Sequence, residues 1–234
     1  MTVAGDTQVG NRYPANFDVL AVEQAADRTI LAVADGMGAG RGSAFAGRTA
    51  VDTFLEVTRA GRPSPELLRA AVARAQQRVI DGGRQWPELT GCTLTGLVVD
   101  GDQAWIAQIG DSRAYRWRGG LLEILTTDHT QAWLGAVNGW WDRGSAQAQA
   151  ARYHLLRYVG HPDAPEPDVL NVALRAGDVL CLCTDGIAEE VPYQRLAQVL
   201  GSGAPPAETA RLLLADALAV GGNDNATAAV LAVT

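Results

Sequence analysis

The sequence of 234 residues contains no lysine, few cysteines and no apolar run long enough to span a bilayer. All 19 basic side chains are arginines, and 26 acidic side chains outnumber them, which gives a formal net charge of −7. Nucleic-acid-binding proteins carry a basic face that neutralises phosphates, so the composition argues against that class and against membrane insertion. The first ten residues lack the basic and apolar regions of a signal peptide, so we expect a cytoplasmic protein.

The cysteines carry no signature of a disulfide framework or of a metal site. Cys92, Cys181 and Cys183 lack the CxxC spacing that zinc and redox sites use. Cys181 and Cys183 alternate along an apolar run that is typical of a buried strand, where a free thiol behaves as a small hydrophobic side chain. We therefore predict a structural role for all three.

Apolar residues make up 47% of the chain, which is enough for a sizeable core, and no linker or repeat divides it. We therefore expect a single domain over residues 1–234. Short β-branched runs alternate with two pairs of longer amphipathic stretches. The predicted strands cover residues 18–22, 29–34, 93–99, 103–109, 113–117, 121–125, 169–174, 179–183 and 227–233. The predicted helices cover residues 43–59, 65–80, 193–200 and 206–220.

Two dipeptides separate neighbouring runs in the middle of the chain. Asp100-Gly101 and Gly119-Gly120 favour the positive φ of tight hairpin turns, so this region is predicted to form an antiparallel meander. Strands grouped together, with helices set apart, are typical of an α+β layered fold. We expect a four-layer sandwich in which two packed antiparallel β-sheets are flanked by helices.

Short acidic motifs recur in a fixed order along the chain, most of them at the end of an apolar run. They are Asp35-Gly36-Met37-Gly38, Gly110-Asp111-Ser112-Arg113, Thr127-Asp128-His129, Thr184-Asp185-Gly186 and Asp224-Asn225-Ala226-Thr227. Aspartate is a poor strand residue, so its repeated placement at strand ends suggests carboxylates gathered at one edge of a sheet. Gathered carboxylates repel each other unless cations lie between them, and oxygen-only ligands point to Mg²⁺ or Mn²⁺.

These motifs, with Gly91-Cys92-Thr93 and residues 155–160, resemble the metal-dependent protein phosphatase 2C family of serine/threonine phosphatases, especially its compact bacterial members. The resemblance covers nearly the whole chain. Each motif alone is weak, but their joint occurrence in family order is specific. The resemblance implies a β-sandwich of two antiparallel sheets with helices outside, in agreement with the pattern above. It also implies hydrolysis of phosphoserine and phosphothreonine by attack of a metal-bridging hydroxide.

The resemblance gives particular acidic residues a role at two Mn²⁺ or Mg²⁺ ions. Asp35 would bridge the ions and the Gly36 carbonyl would bind one of them, while Asp185 and Asp224 would bind the first ion. Three carboxylates leave surplus positive charge on two divalent ions, which would attract a phosphate dianion and acidify a bound water. The three aspartates are therefore the predicted catalytic residues, acting through the hydroxide that the ions hold.

Other positions match supporting sites of the family. Asp111 and Glu189 match positions that hold a third ion in some relatives, although Glu189 replaces the usual aspartate. Asp18 and Asn225 are expected to hold the ligands or their waters in place without touching the ions.

The N-terminal motif departs from the family pattern. Relatives usually have Asn-Glu-Asp where this chain has Asn16-Phe17-Asp18, so an acidic group that helps to hold the second ion through its waters is absent. We expect weakened binding at that position. Relatives place an arginine a few residues earlier to hold the substrate phosphate. Arg12 is the nearest candidate but is one residue out of register, and Tyr13 occupies the expected place; a surface arginine without function is the alternative.

A tryptophan-rich stretch, residues 133–144, corresponds to a variable flap beside the active site in the family, and we expect a flap-like segment over residues 130–160. Trp140 and Trp141 are adjacent, so both cannot point into the same core, and one of them could be exposed as a contact for a substrate protein. A small satellite core beneath the flap is the alternative.

Together these features predict a Mn²⁺- or Mg²⁺-dependent phosphoprotein phosphatase. We expect a monomer whose partners are a phosphorylated protein substrate and an opposing serine/threonine kinase. Two alternatives stay open on the sequence: a low-activity or inactive relative that only binds phosphoproteins, and a phosphatase for a small phosphorylated metabolite. The replacement of the usual glutamate by Phe17 motivates the first alternative.

Overall fold

The computed structural model describes residues 1–25, 28–142 and 144–234. The strands are β1 (Thr2–Gln8), β2 (Val19–Gln24), β3 (Thr29–Ala34), β4 (Leu94–Asp100), β5 (Gln103–Ile109), β6 (Arg113–Arg118), β7 (Leu121–Ile124), β8 (Asp168–Ala173), β9 (Val179–Cys183) and β10 (Ala226–Ala232). The helices are α1 (Arg41–Arg59), α2 (Pro65–Gly83), α3 (Gln131–Asn138), α4 (Ala146–Ala150), α5 (Asp185–Ala188), α6 (Tyr193–Leu200) and α7 (Pro206–Ala219), and a 3₁₀ turn covers Ala151–Tyr153.

The strands form two five-stranded antiparallel sheets. The first has the order β1-β10-β9-β6-β7 and the second the order β2-β3-β4-β5-β8. Leu31 and Leu182 belong to the apolar layer between the sheets. Phe54 and Leu68 of α1 and α2 cover the outer face of the second sheet, and Leu213 of α7 covers the outer face of the first. The predicted four-layer α+β sandwich is confirmed.

Local sequence signals account for much of this arrangement. The Ser64 hydroxyl accepts a hydrogen bond from the Leu67 amide, and Pro65 occupies the first turn, so α2 begins where the capping pattern predicts. Gly101, Gly119 and Gly120 all have positive φ, as the two predicted hairpin turns require. No helix in the described part of the chain is long and apolar enough to cross a membrane.

The predicted central meander is wrong, because its two hairpins lie in different sheets. The β4–β5 hairpin belongs to the second sheet and the β6–β7 hairpin to the first. Gly110 has φ +107 at the crossing, and a Cβ there would lie 2.6 Å from the Thr93 side chain. Only glycine fits this combination of backbone angle and close approach, and the crossing carries Asp111 to the edge of the sandwich.

The sequence reasoning also missed β1, the short helices α3, α4 and α5, and the 3₁₀ turn. The first is β1, a partly exposed edge strand with the mixed sequence TVAGDTQ, which pairs along its length with β10. Because the strand is only partly buried, its sequence shows no clear hydrophobic alternation, and its pairing with β10 is not visible in the local sequence. The short helices α3 and α4 lie in the predicted flap-like segment, of which residue 143 is outside the described residues.

The adjacent tryptophans of this segment have different surroundings. Trp140 is 53% exposed, whereas the Trp141 ring packs directly on Gly135 of α3, where a Cβ would overlap it. The two rings meet edge to face with centroids 5.8 Å apart. One exposed and one packed ring agrees with the expectation that they cannot share a core.

Candidate active site

The predicted acidic residues meet at one end of the sandwich. Asp35 directly follows β3, Asp185 opens α5 after β9, and Asp224 precedes β10. Together with Asp111 from the sheet crossing, they line a cavity of ≈ 280 Å³, called here the carboxylate cavity. Gly36 and Asn225 also line it. The edge predicted from the sequence is therefore a real feature of the fold.

Asp35 is fixed by its own backbone. Its amide donates to the Thr93 hydroxyl at 2.9 Å, and its carbonyl accepts from the Thr93 amide at 2.8 Å. The buried Thr93 hydroxyl also lies 2.7 Å from that of Ser112, beside Asp111. At Gly36 a Cβ would lie 2.8 Å from the Ser43 carbonyl oxygen, so the turn after Asp35 tolerates no side chain.

Asp18 joins elements of both sheets beneath the cavity. Its side chain is buried, and its Oδ2 accepts hydrogen bonds from the hydroxyls of Thr184 at 2.8 Å and Thr227 at 2.7 Å. Thr184 precedes Asp185, and Thr227 follows Asp224 by three residues. Asp18 therefore holds the two segments that carry the cavity's acids, a position compatible with the supporting role expected for it.

Asn225 ties the N-terminal segment to the same edge. Its buried Oδ1 accepts a hydrogen bond from the Gly10 amide at 3.1 Å, and a Cβ on Gly10 would overlap the Asp224 carbonyl. A Cβ on Gly186 would likewise overlap the Asn225 carbonyl. The three segments around residues 10, 186 and 224 thus touch through backbone, which sets the spacing of their acids.

Crowding perturbs the acids of the cavity. Burial, followed by the charges of Asp185 and Asp18, raises the pKa of Asp35 well above its usual value. Burial, followed by the charges of Asp111 and Asp224, does the same to the pKa of Asp185. Burial also raises the pKa of Asp18 to about 6. Each shift has the sign that burial and neighbouring negative charge give to a carboxylate.

The donor set fits hard divalent cations. Asp185 and Asp18 each have a buried Oδ1 with no hydrogen-bond partner among the described residues. Over the same residues, no group of three or more His, Cys, Asp or Glu side chains is close enough to hold one ion unaided. The acids are instead spread around a shared cavity, so ions there would also need water and backbone ligands. Mg²⁺ sites are commonly built in this way, from few carboxylates and several waters.

The positions expected for a third ion face a competing cation. Burial, followed by the charges of Asp128 and Glu189, raises the pKa of Asp111 to about 7. Glu189 lies 3.8 Å from Arg113, which forms a two-pronged ion pair with Asp128 at 2.6 and 2.8 Å. The structure thus brings Asp111 and Glu189 into the same electrostatic neighbourhood, with the Arg113 guanidinium beside Glu189.

A second cavity of ≈ 400 Å³ adjoins the first and shares Tyr13, Tyr153, Asp185 and Asp224 with it. We call it the adjoining cavity. Arg12 lines only this second cavity, whereas Tyr13 lines both.

Comparison with known proteins decides the family. A model of the protein phosphatase 2C family matches residues 14–219 of this chain. The chain belongs to the protein phosphatase 2C family. The matched region contains Asp18, Asp35, Asp111, Asp185 and Glu189 of the candidate site, and Asp224 lies just beyond it.

Individual relatives of the family span nearly the same length. The serine/threonine phosphatase stp of Listeria monocytogenes is 30% identical over 210 residues, 86% of this chain and 83% of that protein. The structure of the PPM Ser-Thr phosphatase MsPP from Mycobacterium smegmatis, in complex with cacodylate, has 29% identity and a TM-score of 0.87, covering 100% of this chain and 99% of that one. The catalytic domain of the serine/threonine phosphatase PstP, in complex with two manganese ions, has 29% identity and a TM-score of 0.83, covering 97% and 96%.

These matches confirm the family and the enzyme class predicted from the sequence, a phosphoprotein phosphatase of the serine/threonine type. They do not favour the binding-only or small-metabolite alternatives. The protein phosphatase 2C family is metal-dependent, in agreement with the oxygen-rich cavity of this member.

Several residues of the site were not predicted from the sequence. The Thr93 hydroxyl and the hydroxyls of Thr184 and Thr227 hold the acids in place, yet a threonine in a strand usually reads as a β-branched packing residue. The available signal was the position of Thr184 and Thr227 inside acidic motifs and of Thr93 inside the Gly91-Cys92-Thr93 motif. Tyr153, on the 3₁₀ turn of the flap-like segment, lines both cavities and carries no motif.

Proposed function

We propose that this protein hydrolyses phosphoserine and phosphothreonine in proteins, with two Mn²⁺ or Mg²⁺ ions held at the carboxylate cavity. Asp35, Asp185 and Asp224 and the Gly36 carbonyl would be the ligands. The observation that carries the proposal is the convergence of four aspartates on one cavity, with a buried oxygen on Asp185 that has no partner among the described residues and pKa values raised by burial and then by mutual repulsion.

When bound, divalent ions of this kind acidify a water that can attack phosphorus and supply positive charge for the phosphoryl oxygens. The chain's own residues set the conditions for that chemistry. The bonds between Thr93 and the Asp35 backbone fix Asp35, and Asp18 fixes the segments of Asp185 and Asp224 through two threonine hydroxyls. Preorganisation of this type avoids moving charged ligands during the reaction.

A third ion between Asp111 and Glu189 is part of the proposal as an optional feature. Arg113 lies 3.8 Å from Glu189 and would compete with such an ion. We therefore expect a third site, if occupied, to be weaker than the other two. The expectations of a monomer, a cytoplasmic location and an opposing serine/threonine kinase stay predictions.

The proposal is tested by hydrolysis of a phosphothreonine peptide and of p-nitrophenyl phosphate with Mn²⁺, with Mg²⁺ and with EDTA. We expect turnover that requires the metal and is lost in Asp185→Asn. Asp52→Asn is the matched control, because Asp52 lies exposed on α1 and undergoes the same chemical change. Equal metal-dependent turnover in Asp185→Asn and the parent protein would overturn the ligand assignment.

Phe17 provides a separate test of how this member holds its second ion. Phe17→Glu restores the acidic group that the family usually has, so it should tighten the binding of Mn²⁺ if that position still faces the ion's waters. Isothermal titration of metal-free protein measures this directly. Absence of turnover in well-folded parent protein, with turnover gained in Phe17→Glu, would instead favour a member that only binds phosphoproteins.

A further inference from the structure

Tyr13 lies between the two cavities of the candidate site. It lines both the carboxylate cavity and the adjoining cavity, together with Asp185 and Asp224. Arg12, the residue that sequence reasoning nominated for phosphate binding, is exposed and lines only the adjoining cavity. Of these two side chains, only the Tyr13 phenol lines the carboxylate cavity.

The segment that carries Tyr13 is anchored to the edge that carries Asp224. The Asn11 amide donates to the Gly222 carbonyl at 2.7 Å, and its side-chain amide donates to the Gly221 carbonyl at 3.0 Å. Strand β1 ends at Gln8, and the Gly10 amide donates a hydrogen bond to the Asn225 side chain. These bonds fix the backbone immediately before Tyr13 relative to Asp224.

The Tyr13 ring is also supported from behind. It meets the Phe17 ring edge to face, with centroids 6.5 Å apart and an interplanar angle of 75°. Such aromatic pairs add stability beyond the apolar area that they bury. Phe17 stands where the family usually has glutamate and Tyr13 where it usually has arginine, so two of this chain's departures from the family pattern contact each other. The Phe17 ring therefore supports the Tyr13 ring, which lines the carboxylate cavity.

The Tyr13 side chain brings a hydroxyl to the carboxylate cavity. A tyrosine phenol titrates near pH 10, so it is protonated at neutral pH and can donate a hydrogen bond. A protonated phenol is a hydrogen-bond donor, and a phosphate oxygen is a strong acceptor.

We propose that Tyr13 binds the substrate directly, its phenolic hydroxyl donating a hydrogen bond to a phosphoryl oxygen in the carboxylate cavity. The inference rests on the proposed function and assigns the phosphate contact to Tyr13 in place of Arg12. Arg12 then contributes only longer-range attraction from the wall of the adjoining cavity.

The test uses Tyr13→Phe, which removes the hydroxyl and keeps the ring that packs on Phe17. Hydrogen bonds to charged groups contribute enough that we expect binding of inorganic phosphate to the Mn²⁺-loaded protein to weaken about tenfold or more. The KM for a phosphothreonine peptide should rise similarly, with Mn²⁺ affinity and the urea midpoint unchanged. Tyr158→Phe, outside both cavities, is the matched control and should leave phosphate affinity unchanged.

Calorimetry with inorganic phosphate separates this inference from the proposed function, because it needs no turnover. Weakened phosphate binding in Tyr13→Phe supports the contact even if the parent protein shows no hydrolysis. Parent turnover together with a phosphate affinity in Tyr13→Phe within about twofold of the parent overturns the contact and leaves the phosphatase standing. Failure of the parent to bind phosphate, or a loss confined to Arg12→Ala, overturns it as well.

Discussion

Replacing Asp18 by Asn should stabilise the metal-free protein at neutral pH. It should also reduce the gain in stability that Mn²⁺ gives the protein. The Asp18 side chain is buried, and one carboxylate oxygen has no partner among the described residues. Burial raises its pKa from 3.8 to about 6. Holding the ionised carboxylate at pH 7.5 therefore costs about 3 kcal/mol of the free energy of unfolding.

The sign follows from proton linkage. A carboxyl whose pKa is raised on folding adds stability below its unfolded pKa and loses that contribution as the pH rises through its folded pKa. For Asp18 this loss occurs between about pH 4 and pH 6, the interval set by its two pKa values. Asn stays neutral throughout, and its Oδ1 can still accept from Thr184 and Thr227.

Urea unfolding in EDTA at pH 4.5 and pH 7.5 measures the difference between the parent and Asp18→Asn. We expect the variant to gain up to about 3 kcal/mol relative to the parent at pH 7.5 and much less at pH 4.5. Saturating Mn²⁺ should stabilise the parent more than the variant, because the ions compensate the buried charge of Asp18. A difference that does not change with pH, or a variant less stable at pH 7.5, would refute the reasoning; Asp52→Asn is the control.

Three further substitutions test the architecture of the site. Thr93→Val leaves the Asp35 amide and the Ser112 hydroxyl without a partner, so urea unfolding should show a loss of about 2–4 kcal/mol, and Thr93→Ser, which keeps the hydroxyl, should lose clearly less. Gly110→Ala places a Cβ 2.6 Å from Thr93 at φ +107, so we expect a loss of more than about 2 kcal/mol and weaker Mn²⁺ binding; wild-type values of both would contradict this account of the sheet crossing. Trp140→Ser should change thermal stability by no more than about 0.5 kcal/mol, since the ring is 53% exposed, and a larger loss would show that it belongs to a core.

Much of the fold was predictable because the strands are buried and strongly patterned. The bounds of β3, β5, β9 and α6 agree residue for residue with the predicted ones. The placement of Asp35, Asp185 and Asp224 around one cavity was predictable from their positions at strand ends. Aspartate is unfavourable in strands, so its repeated occurrence there indicates a polar site.

The remaining features depend on partners distant in the chain. The polar strand β1 is defined by its pairing with β10, and no local signal requires it. From the sequence, Gly110 is also compatible with a turn within one antiparallel sheet. The structure shows that the chain changes sheets at Gly110, where its backbone approaches Thr93 too closely for a side chain. Likewise, the orientation of Tyr13 towards the acids depends on Phe17 and on the bonds of Asn11, which no motif encodes.

The hydrogen bonds of Asp18 also bear on how the protein is made. Its two threonine partners lie 166 and 209 residues further along the chain, and β1 pairs with a strand close to the other end of the sequence. During synthesis, the carboxylate cavity therefore lacks a wall until residues 224–232 have emerged from the ribosome. Long-range pairing of this kind is slow to form. A nascent chain without residues 224–232 would have the first acids but not the complete cavity, so any ion that the cavity binds would be taken up only after those residues have emerged.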